Sequence, residues 1–121
     1  MGRNNTVGAW GEMVAAQYLI KNKYKIQACG FRSRFGEIDI IASDRKFLLF
    51  VEVKLRKTAN FAEAMEFVDR FKQEKLRKTA EIYLSTRPTK LQPRFDVIEI
   101  YAPDGANTAS PKIHHMENAF E

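Results

Sequence analysis

Asp39, Glu52 and Lys54 sit where apolar strands rarely tolerate charge. The runs Phe35-Gly36-Glu37-Ile38-Asp39-Ile40-Ile41-Ala42 and Leu48-Leu49-Phe50-Val51-Glu52-Val53-Lys54 read as neighbouring buried strands, and these residues lie at their ends. Burying an uncompensated charge costs on the order of several kcal/mol, so such residues persist where they are paired or hold a metal. Side chains alternate faces along a strand with period two. Glu52 and Lys54 therefore share a face; on the preceding strand Asp39 shares its face with Glu37, while Ile38 and Ile40 point to the other. Two carboxylates and an ammonium converging beside a sheet have the layout of a metal-dependent phosphodiester site.

Mg²⁺ and Mn²⁺ suit that layout. Mg²⁺ takes hard oxygen ligands, usually one or two carboxylates completed by water and substrate phosphate. Asp39 and Glu52 supply such ligands, and the backbone carbonyl of Val53 is a further candidate. Lys54 is then placed to position an attacking hydroxide or to offset developing negative charge. Taken alone, Glu52-Val53-Lys54 is more often a salt-bridged edge strand. A Gly-Glu-Ile-Asp strand ending shortly before it, across the turn Ser43-Asp44-Arg45-Lys46, makes the constellation the stronger signal.

The elements that must carry these residues follow from caps and periodicity. Asn5 or Thr6 can cap a helix running to about Lys21, with Val7, Trp10, Val14 and Tyr18 as an apolar stripe and Gly8, Gly11 and Ala15 allowing close approach. Glu12 lies on the flank shared with Ala16 and Leu19; spacing alone leaves it open as a third metal or water ligand or an ordinary half-exposed glutamate. Tyr24 to Phe31 reads as an outer strand and Arg32 to Phe35 as a basic turn. Strands from about Glu37 to Ser43 and Lys46 to Leu55 should pair as a hairpin. Asn60 to Val68 is a loop or short helix over the site. A second helix from Asp69 to Ser85 is capped by Asp69 and stops before Pro88. Gln92 to Ala102 is the next strand, and Lys112 to Met116 adds a short edge strand. His114 and His115 would face opposite ways in a strand, which disfavours a shared metal.

Composition bounds the rest. A chain of 121 residues is expected to be one domain, residues 1–121. Its net charge of +5 and pI near 9.4 suit a polyanionic partner. From Asp44 to Arg94 there are thirteen Lys or Arg against seven acids, whereas from Phe95 onward Lys112 faces five acids. The basic region therefore begins at the candidate site. Lys72 falls on the stripe Val68, Lys72, Leu76, Ala80, Tyr83, where a core helix wants an apolar residue. It either snorkels out or points at a phosphate. Cys29 is the only cysteine, which excludes an internal disulfide, and it is expected to pack as a small apolar residue. No apolar run reaches the ~20 residues of a membrane span and no signal core is visible, so a cytoplasmic location away from membranes is expected.

Taken together, Gly8-Ala9-Trp10-Gly11-Glu12, Arg34-Phe35-Gly36-Glu37-Ile38-Asp39, Phe50-Val51-Glu52-Val53-Lys54, Lys72-Gln73 with Leu76 and Tyr83-Leu84, Arg94-Phe95-Asp96-Val97 and Glu117-Asn118-Ala119-Phe120 resemble the YraN family of small bacterial proteins. That family is placed among the PD-(D/E)xK nucleases, near the archaeal Holliday-junction resolvases. Ile38 replaces the proline of the superfamily name, as is usual in the family. The resemblance implies metal binding by Asp39 and Glu52, catalysis by Lys54 and a supporting acidic role for Glu12. It implies an α/β fold, a restriction-endonuclease-like mixed sheet flanked by helices in the core order αβββαβ. The expected function is a Mg²⁺- or Mn²⁺-dependent nuclease acting on DNA, including branched or structured DNA, with Arg34, Arg56, Lys57 and Lys72 on the backbone. By analogy with the resolvases a homodimer is expected. The alternative is a non-catalytic nucleic-acid-binding module, or a scaffold for repair partners, that keeps the same fold.

Overall fold

Val, Ile and Phe dominate the candidate strands, and β-branched and aromatic side chains fit a pleated, half-buried surface. In the computed structural model, which describes residues 6–57 and 68–121, they form one five-stranded sheet. Its strands are β1 (Lys25–Ser33), β2 (Gly36–Ser43), β3 (Phe47–Arg56), β4 (Gln92–Tyr101) and β5 (Lys112–Phe120), laid side by side in that order. Neighbours are antiparallel except β3 and β4, which are parallel. A parallel pair needs a long crossover, and the helix α2 (Arg70–Thr86) lies within it; α1 (Thr6–Lys21) precedes the sheet. The expected mixed α/β architecture is borne out. The stretch expected as a loop or short helix before α2 and the capping side chains of Asn5 and Thr6 lie outside the described residues. Among the described residues no helix is long and apolar enough to cross a membrane.

Period-two alternation along β3 divides the core in two. Leu48 and Phe50 join Leu76, Ala80 and Tyr83 of α2, while Leu49 and Val51 join Ala15 and Leu19 of α1. The helices therefore cover opposite faces. The deep stripe of α1 is Gly11, Ala15 and Leu19, not the stripe expected from Val7 onward, and Val7 is exposed. Small residues at this spacing let the helix come close: a Cβ on Gly11 would stand 3.0 Å from the Leu55 side chain.

On β2 the alternation fails at the site. Ile38 packs on the α2 side and Ile40 on the α1 side, so the expectation that they share a face is corrected. An unusual backbone conformation lies opposite it across the ladder. Gly30, bracketed by the pairs Cys29↔Ile40 and Phe31↔Ile38, takes φ +66°, a left-handed conformation that glycine adopts without steric cost. Asp39 lies between the same two pairs on β2, opposite Gly30. Other boundaries shift too. Arg32 and Ser33 belong to β1, leaving Arg34 and Phe35 as the turn, and β5 continues past Met116 to Phe120, whose ring stacks on Phe95 at 5.0 Å between centroids. Cys29, on the edge strand β1, is exposed rather than packed.

The end of α1 offers a test remote from the site. The Tyr24 N–H donates to the Leu19 carbonyl and the Lys23 N–H to that of Ile20, while Lys23 takes φ +74°. This is a Schellman closure with lysine in the position that glycine favours. Lys23→Gly should therefore stabilise the fold by about 0.5–1 kcal/mol, seen as a rise of a few degrees in Tm. A fall in Tm would show that the Lys23 side chain contributes more than its backbone costs.

Candidate functional site

The site lies where β2 and β3 part. Their ladder runs from Ser43↔Leu48 to Ile40↔Val51 and goes no further, so the next N–H on β3 has lost its strand partner. Asp39 supplies the replacement: its Oδ2 accepts from the Val53 N–H at 2.8 Å. The carboxylate thus lies in the gap between the strands. Glu52 stands on the α2 face with only 8% of its side chain exposed. Lys72 reaches it from the first turn of α2, where Asp69 caps the helix by accepting from the Lys72 N–H at 2.8 Å. The Lys72 Nζ donates to Glu52 Oε2 at 2.5 Å, and Lys54 Nζ stands 3.7 Å from the same oxygen.

Charge is compressed here. Burial, then the neighbouring Glu52 carboxylate, pushes Asp39 up to about 7 against the pull of its Val53 hydrogen bond, and Glu12 and Glu37 add to the rise. Lys54 is held below the ordinary lysine value by burial and by the Lys72 ammonium, with Glu52 opposing. For Lys72 burial acts downward, but the Glu52 contact outweighs it and the net direction is up. One carboxylate is therefore shared unequally by two ammonium groups. Lys72 is thus tied to Glu52 in this fold.

Glu12 is half-buried on α1, and its charge reaches both Asp39 and Cys29. Among the described residues no three His, Cys, Asp or Glu side chains form a group able to hold a metal. Asp39, Glu52 and the backbone supply oxygens here, and the charges of Glu12 and Glu37 also reach Asp39. Arg56 Nε lies 3.4 Å from Glu99 Oε2; Lys57 is exposed just beyond β3; the Arg34 guanidinium lies over the Phe35 ring at 4.9 Å.

Two polar groups escaped the sequence reading. Glu99, fully buried, is the β4 partner of Lys54 and accepts from the Tyr101 hydroxyl at 3.0 Å, with His114 Nδ1 at 3.4 Å. On the other face Asp96, also fully buried, takes both Nε and Nη2 of Arg94 at 2.9 Å, stands 2.7 Å from His115 Nε2, and accepts the Asn118 N–H at 3.0 Å. Burial acts to raise Asp96, yet these partners hold it below the usual carboxylate range. The two histidines do face opposite ways. A charge inside an apolar strand, the signal that singled out Glu52, was present at both acids.

Comparison with known proteins bears on identity alone. Residues 11–100 match the family model described as uncharacterised protein family UPF0102. A UPF0102 protein of Caldanaerobacter subterraneus is 46% identical over 116 residues, covering 95% of this chain and 94% of the relative. Relatives from Syntrophomonas wolfei and Geobacter sulfurreducens are 40% and 42% identical, covering 97% and 98% of this chain and 99% and 91% of their own lengths. The chain belongs to the UPF0102 family, whose members are YraN-like, as its motifs suggested.

Proposed function

We propose that this protein is a metal-dependent nuclease that hydrolyses phosphodiester bonds in DNA. The observation that carries the reading is the pair Asp39 and Glu52 at the parted end of β2 and β3, with Lys54 and Lys72 against it. Mg²⁺ or Mn²⁺ fits this donor set, since Mg²⁺ needs only one or two carboxylates. A cation there would favour the ionised Asp39 that burial, and then the Glu52 charge, oppose. A strand residue's N–H and C=O leave the same side of the chain, so the Val53 carbonyl faces the gap that its N–H shares with Asp39. The metal would supply Lewis acidity and a bound water of lowered pKa. Asp39, Glu52 and the Val53 carbonyl would hold it. Lys54 would steady the attacking oxygen and the charge building on phosphorus. Lys72 would exchange Glu52 for a substrate phosphate. The order of helix, three strands, helix and strand supports the restriction-endonuclease-like reading of the fold.

One observation favours a second reading, a non-catalytic nucleic-acid-binding module: Lys72 already satisfies Glu52 without a metal. A cleavage screen separates the two. Duplex, single-stranded, flapped and four-way DNA and the matching RNAs are incubated with Mg²⁺ or Mn²⁺. Cleavage of DNA that stops on chelation is expected. Tight binding with no cleavage under either metal would transfer the site to the binding module.

A further inference from the structure

Phe71 is the most exposed large apolar side chain among the described residues, 71% open to solvent, and it directly precedes Lys72 in the first turn of α2. It does not stand alone. With 3.6 residues per turn, Phe71, Lys75, Lys78 and Ile82 form one stripe of α2, on the solvent side of Lys72. The Lys75 ammonium lies 4.5 Å from the centre of the Phe71 ring. The Phe35 ring, in the β1–β2 turn, has Lys78 Nζ at 5.1 Å and the Arg34 guanidinium at 4.9 Å. Gly36, the next residue, lies against Lys75, so turn and helix make one surface. Glu74 and Glu81 border this stripe on one flank, Glu74 holding Arg77 at 3.1 Å. The face thus alternates flat aromatic rings with cations and carries no acid within the stripe. A duplex offers such a face only its phosphates, because its bases are stacked on one another. Unpaired nucleotides offer both a phosphate for each cation and a base plane for each ring, the combination used by single-strand binding surfaces.

We propose that the Phe71–Phe35 face binds unpaired nucleotides, and so selects substrates in which a single strand leaves a duplex beside the Lys72–Glu52 pair. The inference rests on the nucleic-acid reading given above and names its substrate class. Its test uses no metal, so it is independent of cleavage. Affinity of the full chain for a labelled oligothymidylate and for a blunt duplex is measured in chelator, after melting each variant to confirm folding. Phe71→Ala and Phe71→Leu should each weaken oligothymidylate binding roughly tenfold without changing its salt dependence, and leave the blunt duplex unaffected. Phe71→Trp should restore it. Lys75→Ala should weaken binding with a salt slope shallower by about one single-strand contact. Equal losses on single strand and duplex, no loss with Phe71→Leu, or Phe71-dependent binding to anionic lipid vesicles in place of oligonucleotide would each overturn the proposal. If no substrate is cut yet the Phe71 pattern is found, the surface stands while the nuclease reading falls.

Discussion

Asp39→Asn should make the metal-free protein more stable while removing its metal site. In the fold the Asp39 carboxyl is pushed up to about 7 by burial and by Glu52, whereas in the unfolded chain it titrates near 4. A carboxyl with a raised folded value binds its proton more tightly when native. Its contribution to stability is therefore greatest at low pH and is lost as pH rises from about 4 to about 7. Above that window the loss reaches up to about 4 kcal/mol, lessened by any solvent that reaches the gap. Asparagine keeps an acceptor for the Val53 N–H and carries no charge. At about pH 8 the variant should melt roughly 5–15 °C above wild type, and the advantage should vanish near pH 4. Saturating Mn²⁺ should raise the melting temperature of wild type and leave the variant unmoved. The reverse ordering at high pH would mean that Asp39 is ionised without penalty in the fold, and the argument for a cation beside it would fail.

Asp96 acts in the opposite sense. Burial opposes its charge, but His115, Arg94 and the Asn118 N–H hold its carboxyl below the ordinary range, so its stabilising effect is complete above the unfolded value and is lost as pH falls below about 4. Replacing Asp39 therefore alters the neutral and alkaline side of the stability curve, and the acid side remains.

Some of this was legible in the chain. Glu52 and Lys54 could be read because a charge inside an apolar strand breaks the local pattern, and Lys72 because it interrupts a helical stripe. Each misfit marked a residue that meets another. What periodicity could not supply was the partner. That Lys72 takes Glu52 depends on where a crossover helix lands, a long-range fact. That Asp39 reaches the Val53 N–H could not be read either, because strict alternation fails at Asp39, opposite the left-handed Gly30, and leaves Ile38 and Ile40 on different faces. Glu99 obeys the same rule as Glu52, and so does Asp96 on the same strand, but each takes a partner from another strand, beyond the reach of a reading along the run. Cys29 is exposed on β1 at the edge, and strand order cannot be read from the strand itself.

Lys54 carries the remaining test of chemistry. Its ammonium, depressed by burial and by Lys72, stands 3.7 Å from Glu52 and beside the gap where Asp39 waits. If it acts mainly on charge that develops as the phosphodiester breaks, its loss should slow cleavage by roughly 10²–10³-fold and leave affinity for DNA in Mg²⁺ close to wild type, because only interactions stronger in the transition state speed the chemical step. Lys54→Met is the informative variant, since it keeps the apolar stem and removes the charge. Lys54→Ala tests the same point with less packing. Both must be melted first, as half-buried Lys54 also neighbours Glu99 on β4. Lys72→Ala gives a contrast: it frees Glu52 and removes the charge that depresses Lys54, so it should weaken DNA binding more than it slows cleavage at saturation. A folded Lys54→Met protein that cuts as fast as wild type would place the activity elsewhere than Asp39, Glu52 and Lys54.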